Sequence, residues 1–357
     1  MKQVAIVGIQ GVPAKYGGFE TLVENMIGEN CSPEVCYTIF CSGKDYATHM
    51  DTYKGARLKY VPLFHANGAQ STPYDILSML KCLRGYDTVL ILGVSGCIFL
   101  PIFRLLYRKR LIVNIDGLEH RRAKWGKFAK WFLRTSEAMA VKYADVVIAD
   151  NKGIQDYVKE TYDIPSELIA YGGDHAQRDV PEAQQLETLR KYQVKAGGYA
   201  VSVCRIEPEN NSHIICEAFA TSGKELVFVG NWERSEYSRE LKKKYSQCRN
   251  IRMVNAVYEL DELYALRNQC SCYVHGHSAG GTNPSLVEAM FFGKPILAYD
   301  VVYNRETTEN KAYYFKSSEQ LVELLMQKEK DGKPMKEIAK RRYTWEYVAE
   351  QYEALYD

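Results

Sequence analysis

The sequence predicts an α/β chain of two Rossmann-like domains facing each other across a deep cleft. Short apolar runs without strict alternation, separated by helix-length segments, read as parallel strands covered on both faces. They run Val4–Ile9, Tyr37–Cys41, Leu58–Val61, Thr88–Leu92, Leu111–Ile115 and Val146–Ala149. The series then restarts at Ala200–Cys204, Leu226–Val229, Ile251–Val254, Cys272–His275 and Ile296–Ala298. A length of 357 residues leaves room for both domains. The boundary falls near 172, giving residues 1–172 and 173–342. Tyr171–Gly198, rich in Gly and polar residues with a helical pattern near Pro181–Tyr192, is the linker candidate. The last stretch, Tyr343–Tyr356, sets Trp345, Val348, Tyr352 and Leu355 at helical spacing and fits either domain.

Composition narrows the class further. With 46% hydrophobic and 25% charged residues the chain is globular, and disorder and low complexity are excluded. Lys+Arg 46 against Asp+Glu 44 argues against a dedicated nucleic-acid binder. The balance is uneven along the chain: residues 1–170 hold 21 basic and 17 acidic side chains, the rest 25 and 27. Ten cysteines without a C-x-x-C pair or a zinc spacing read as reduced thiols in a cytoplasmic protein. MKQVAIVGIQG enters a glycine loop too early for a secretory signal and reads as a first strand. Val89–Phe103 is too short to span a bilayer and is broken by Gly93, Gly96 and Pro101.

The first strand ends in GIQGVPAKYGGFETLVENM, residues 8–26. Its glycines, Gly17 and Gly18 among them, let backbone N–H groups approach a ligand at the positive end of the following helix. The same stretch would serve as a plain strand-to-helix connection, but about ten residues is long for one. Gln10 stands where a dinucleotide fingerprint needs its second glycine, which disfavours a nicotinamide enzyme.

HGHSAGGTNPSLVEAMFFGKP, residues 275–295, carries the strongest local signal. A strand ends at His275, and Asn283-Pro284 starts a helix with an N-cap and a proline at its first position. Gly280, Gly281, Thr282 and Asn283 thus stand at a helix N-terminus suited to a diphosphate. Glu288, one turn in, would repel phosphate but suits a neutral diol such as a ribose. It would equally complement the helix dipole with no ligand at all. His275-x-His277 is a poor metal pair, since the two side chains leave a strand end on opposite sides.

Asp116 and Glu119 follow a strand end in DGLEH, where cleft residues collect, and His120 is a third candidate there. From Arg104 to Arg134 there are ten Lys/Arg and two acids. On a helical projection Trp125, Phe128, Ala129, Phe132 and Leu133 share one face, with Lys124, Lys127, Lys130 and Arg134 opposite. Such a helix over 121–134 can lie on an anionic membrane, or pack its apolar face inward and leave its basic face solvated.

These segments together resemble the retaining nucleotide-sugar glycosyltransferases of family 4, of GT-B fold, nearest to a bacterial rhamnosyltransferase subgroup of surface polysaccharide assembly. The resemblance runs through GVPAKYGGFE, NIDGLEHRRAKW (114–125), IADNKGIQDYV (148–158), YGGD (171–174), VSVCRIEPENN (201–211), GGTNPSLVEAM and AYDVVYNRET (298–307). It implies a nucleotide-diphosphate sugar, dTDP-rhamnose or a UDP-sugar, bound mainly by the C-terminal domain. It implies a glycan or polyprenyl-diphosphate-linked acceptor on the N-terminal one, and a last helix, 343–357, returning to that first domain. Donor binding is thereby carried to Gly17, Gly18, Arg205, Asn210, Gly280, Gly281, Thr282, Asn283 and Glu288. Acceptor binding falls to Phe19, Glu20 and His120, and catalysis to Asp116 and Glu119. Neither metal nor cofactor is implied, and the enzyme is expected in the cytoplasm or on the inner membrane face. Two positions depart from the family: Asn210 stands where a Lys neutralises the donor diphosphate, and Gly280 where the first Glu of an E-x7-E pair contacts the sugar. A 6-deoxy sugar, with fewer polar substituents, is least harmed by both. A nucleotide-sugar epimerase and a catalytically weak sugar-nucleotide-binding protein are the alternatives.

Overall fold

The computed structural model describes residues 1–15, 17–122 and 125–357; Tyr16, Ala123 and Lys124 lie outside the described residues. The chain divides into two units, Met1–Tyr171 with Trp345–Asp357, and Gly172–Thr344.

The first unit runs β1 (Lys2–Val7), α1 (Gly18–Met26), β2 (Val35–Ser42), β3 (Thr52–Tyr53), β4 (Ala56–Val61), α2 (Ser71–Lys81), β5 (Thr88–Leu92) and α3 (Leu100–Leu106). It continues with β6 (Arg110–Asn114), α4 (Lys127–Tyr143), β7 (Val146–Ala149), α5 (Lys152–Tyr162) and β8 (Glu167–Leu168). The second unit follows with α6 (Glu182–Lys191), β9 (Tyr199–Val203), α7 (Ser212–Ser222), β10 (Glu225–Val229), α8 (Glu236–Lys244), β11 (Ile251–Val254) and α9 (Leu260–Asn268). Then come β12 (Cys272–His275), α10 (Pro284–Met290), β13 (Ile296–Tyr299), α11 (Val302–Thr307), β14 (Tyr313–Phe315), α12 (Ser318–Met326) and α13 (Lys333–Arg342); α14 (Trp345–Glu353) belongs to the first unit.

The first sheet has the order β3-β4-β2-β1-β5-β6-β7-β8, parallel except for the β3–β4 pair. The second, β11-β10-β9-β12-β13-β14, is wholly parallel. Central strands are apolar because both faces are covered: all five residues of β5 are buried. In the first core Val4, Ile6, Leu90, Ile112 and Ile148 meet Trp345, Val348, Ala349 and Tyr352 of α14. Tyr352 accepts from Asn114 Nδ2 at 2.7 Å, and Tyr356 and Tyr37 share a hydrogen bond of 3.0 Å. In the second core Leu226, Phe228, Val274 and Leu297 pack with Phe219, Trp232 and Leu321.

Each sheet reverses its strand order at a central strand, between β1 and β5 in one and between β9 and β12 in the other. Loops at the carboxyl ends of those strand pairs are where open α/β sheets place ligands. Both glycine-rich segments leave such an end.

Three strands absent from the sequence-based expectation, β3, β8 and β14, are sheet edges two or three residues long. Tyr171–Gly198 is not a free linker: after Tyr171 it belongs to the second unit, where α6 packs on α9. The expected face of the basic helix is also corrected. Burial of Ser136, Glu137, Ala140 and Val141 fixes the inward side of α4 further along the helix. Ala129, Phe132 and Leu133 are half-buried on that phase, whereas Phe128 is 76% exposed beside Trp131 at 61%. Trp125 precedes the helix, and Lys124 is not among the described residues.

Candidate active site

In the second unit, β9 ends at Val203 and delivers Arg205 to the carboxyl edge, next to the loop that leaves β12. That loop is tied down at several points. Ser278 donates through its N–H (2.9 Å) and its hydroxyl (2.8 Å) to the Glu209 carbonyl, and Asn211 Nδ2 donates to the Gly276 carbonyl at 2.8 Å. A Cβ on Gly276 would stand 2.1 Å from the Asn210 carbonyl oxygen, so only glycine allows the two segments to approach this closely. Asn283 caps α10, its side chain accepting from Ser285 N–H at 3.0 Å, with Pro284 in the first turn. Gly280 sits at φ +95°, and the backbone N–H groups of Gly280 and Gly281 donate to no partner among the described residues. Thr282 is buried just ahead of the cap.

Asn210 differs from its expected role. Its Nδ2 donates to the Arg205 carbonyl at 2.7 Å, its Oδ1 meets His277 Nδ1 at 2.8 Å, and the residue is buried. The side chain braces the loop that carries Arg205 and does not replace a cation. Arg205 is itself half-buried, 3.7 Å from Glu207. Glu288 carries a constraint that the sequence does not announce: one carboxylate oxygen pairs with Arg267 and the other lies 3.4 Å from His175. Burial alone would raise its pKa, but the Arg267 guanidinium and the hydrogen bond to His175 outweigh burial and hold it down to about 2. Glu288 is therefore a fixed anion with spare lone pairs, the state needed to accept hydroxyl hydrogens. His275, buried at the end of β12, has its pKa lowered by burial to about 3 and stays neutral. Among the described residues no cluster of His, Cys, Asp and Glu could hold a metal ion.

In the first unit, the loop after β1 is built differently. Glu20 Oε1 accepts from Gln10 N–H at 2.8 Å and Glu24 Oε2 from Ala14 N–H at 2.9 Å, so helix α1 returns two carboxylates to its own entry loop. Gly17 caps α1 at φ 138°, and a Cβ there would lie 1.8 Å from Glu20 Oε2. The missing side chain at Gly17 is thus occupied by a carboxylate, and Gly18 follows as the first helical residue. Burial raises the Glu20 pKa, and the neighbouring Asp116 charge adds to the shift. Phe19 stands 6.3 Å from the Tyr171 ring.

Asp116, two residues past the end of β6, takes a left-handed conformation (φ 61°), its N–H held by Asn114 Oδ1 at 3.0 Å. A non-glycine residue there stores strain of the kind found at functional sites. Glu119 is different: its oxygens are bound by Trp125 Nε1 at 3.0 Å and Arg122 Nε at 2.8 Å, which makes it an anchor of the loop. His120 Nδ1 meets Glu137 at 3.0 Å. Glu137, Arg267 and His175 were not expected at these sites. The first two sit mid-helix or in a last helical turn, where charged residues are ordinary.

Residues 185–345 match the family described as "Glycosyl transferases group 1", and residues 1–174 match "Domain of unknown function (DUF1972)". No curated protein matches the sequence. Among solved structures the chain is similar to sucrose-phosphate synthase from Thermosynechococcus elongatus, at 15% identity and TM-score 0.83, covering 100% of this chain and 98% of that one. It is also similar to Anabaena HepE in complex with UDP-glucose, at 15% identity and TM-score 0.76 over 99% of each chain. A third is an α,α-trehalose-phosphate synthase from Burkholderia xenovorans, at 9% identity and TM-score 0.74 over 100% of each. The shared fold is GT-B.

Proposed function

We propose that this chain, whose residues 185–345 match the glycosyl transferases group 1 family, is a retaining glycosyltransferase that moves L-rhamnose from dTDP-rhamnose to a lipid-linked glycan in polysaccharide biosynthesis. The observation that carries the reading is the carboxyl edge of β9 and β12. Arg205 follows the end of β9, the N–H groups of Gly280 and Gly281, without a partner among the described residues, follow the end of the adjacent β12, and Glu288 is held ionised on α10. Arg205 and the loop at Thr282 and Asn283 meet the diphosphate, and Glu288 accepts from the ribose hydroxyls. Gly17 and Gly18 add at most neutral N–H contacts, since Glu20 stands beside them.

In the reaction the bond from the anomeric carbon to the donor diphosphate breaks and a bond to the acceptor oxygen forms. The acceptor proton leaves on the departing phosphate, so no fixed strong base is needed. The developing negative charge is then the main electrostatic demand, and Arg205 with oriented backbone N–H groups answers it. Asp116, strained and at a strand end, orients the acceptor hydroxyl, and Glu119, tied to Trp125 and Arg122, holds the same loop and keeps lone pairs for a second hydroxyl contact. Phe19, Glu20 and His120 line the acceptor side. Rhamnose is favoured because the Asn210 amide is already engaged and Gly280 brings no side chain, which leaves few polar groups for a sugar.

A lipid-linked acceptor is supported by the surface of the first unit. Among the described residues, five of the fourteen exposed large hydrophobic ones, Ile102, Leu105, Leu106, Phe128 and Trp131, lie on the neighbouring helices α3 and α4. Lys127 and Arg134 are exposed beside Phe128 and Trp131. Exposed aromatics with basic residues suit the interface of an anionic bilayer, where this protein docks without a spanning helix; no described helix is long and apolar enough to cross one.

The test is transfer from dTDP-rhamnose, UDP-glucose and GDP-mannose to polyprenyl-diphosphate-linked glycans, with and without acceptor. Acceptor-dependent release of dTDP, lost in Glu288→Ala and Arg205→Ala, is expected. Conversion of the donor sugar without acceptor would make the protein an epimerase, and full transfer by both variants would overturn the site.

A further inference from the structure

Glu137 is a buried carboxylate of the first unit that collects three side-chain donors. It lies in the middle of α4, 2% exposed, and accepts from His120 Nδ1 at 3.0 Å and from the hydroxyls of Tyr157 and Tyr162, each at 2.8 Å. Both tyrosines come from α5, and His120 comes from the turn after β6. Burial alone would raise the Glu137 pKa, but these hydrogen bonds and the His120 interaction overcome it and keep the group ionised. Burial and the adjacent carboxylate raise both phenols, so each remains a donor. The Arg121 guanidinium lies 4.7 Å over the Tyr157 ring and completes the set of charged groups around the cluster.

Such a cluster does more than fill space. A carboxylate fixed by two phenols cannot turn away from the imidazole, so it determines which ring nitrogen carries the proton. The His120 side chain is 11% exposed, and its Nε2 has no hydrogen-bond partner among the described residues.

We propose that Glu137 is a positioning residue that holds His120 as the Nδ1–H tautomer, so that Nε2 presents its lone pair to a hydroxyl of the saccharide substrate. Identification of the hydroxyl as a saccharide's rests on the proposed function; the tautomer does not. The tyrosines act on Glu137, Glu137 acts on His120, and only His120 touches substrate. A wrong tautomer would turn a donor toward the hydroxyl oxygen and lose the acceptor that orients the hydroxyl hydrogen.

The experiment is a long-range proton–nitrogen correlation on the full chain labelled with 15N-histidine at pH 7.5, with the His120 signals assigned by their loss in His120→Asn. The expected spectrum shows a protonated Nδ1 and a bare Nε2 for His120, with the Nε2–H form appearing beside it in the Tyr157→Phe/Tyr162→Phe variant, where Glu137 is no longer held in place. Glu137→Gln should give both tautomers and lower kcat/KM for transfer by roughly tenfold to a hundredfold, the range for a lost charged hydrogen bond. A wild-type spectrum with the proton on Nε2 overturns the proposal even if no variant folds, and so does an unaltered tautomer in Glu137→Gln. If the spectra are as expected but no donor supports transfer, the proposed function fails and the positioning of His120 stands.

Discussion

The two glycine-rich segments look alike in sequence, each leaving a strand and entering a helix, yet their electrostatics are opposite. After β1, the helix folds Glu20 and Glu24 back onto its own entry loop, and the space at Gly17 holds a carboxylate. After β12, the space at Gly276 is filled by a carbonyl of the segment that carries Arg205, and the N–H groups of Gly280 and Gly281 have no partner among the described residues. The acidic residue of the second helix, Glu288, is turned to Arg267 and His175 instead. Glycine marks close approach in both; the identity of the approaching group decides whether an anion is welcome.

The contrast is broken most severely at Arg267. Arg267→Met leaves the buried Glu288 carboxylate with His175 as its remaining partner and should cost about 3 kcal/mol in urea unfolding, the lower end for a broken buried pair. The double variant Arg267→Met/Glu288→Leu should recover most of that stability while transfer stays lost. If the single variant is as stable as wild type, Glu288 is not held by this pair. At the first loop, Gly17→Ala should destabilise by about 1–3 kcal/mol, since alanine is strained at that backbone angle and meets Glu20. Gly17→Ala/Glu20→Ala should recover the contact part alone, which unfolding midpoints will show.

A smaller effect separates the two carboxylates by pH. Glu288 lies below its ordinary value of 4.5, so its contribution is present above that pH and is lost as pH falls toward about 2. Glu20 lies above 4.5, so its contribution is full below that pH and is lost as pH rises through the folded value. Glu288→Gln should therefore lower stability at pH 7, whereas Glu20→Gln should leave it equal or higher. Unfolding of both variants between pH 3 and 8 measures the pair, and parallel curves would erase the contrast.

The central strands and the existence of a last helix were legible because apolar runs and helical spacing are local; which unit that helix joins was not, since its spacing fits either domain. Edge strands such as Thr52–Tyr53 were not, since two residues carry no pattern. At the site, Arg205 and the Asn283-Pro284 cap could be read from their places after a strand and before a helix. Arg267 could not: in LDELYALRN it resembles any basic residue of a last helical turn, and only tertiary packing buries it against Glu288. Glu119 shows the converse. Its position suggested chemistry alone, but Arg122 and Trp125 each hold one of its oxygens and make it an anchor of the loop as well. Phe128 was assigned to the wrong side because the inward phase of α4 is set further along, at Ser136–Val141.

Calorimetric titration of dTDP into the wild type, Arg205→Ala and Lys15→Ala tests the assignment of the donor diphosphate most directly, because Arg205 is the cation of the segment after β9 and Lys15 that of the loop after β1. Arg205→Ala should weaken binding by roughly tenfold to a hundredfold, as loss of a charge-assisted hydrogen bond does, with Lys15→Ala within about twofold of wild type. Undiminished binding in Arg205→Ala together with loss in Lys15→Ala would contradict the account and move the diphosphate to the first loop.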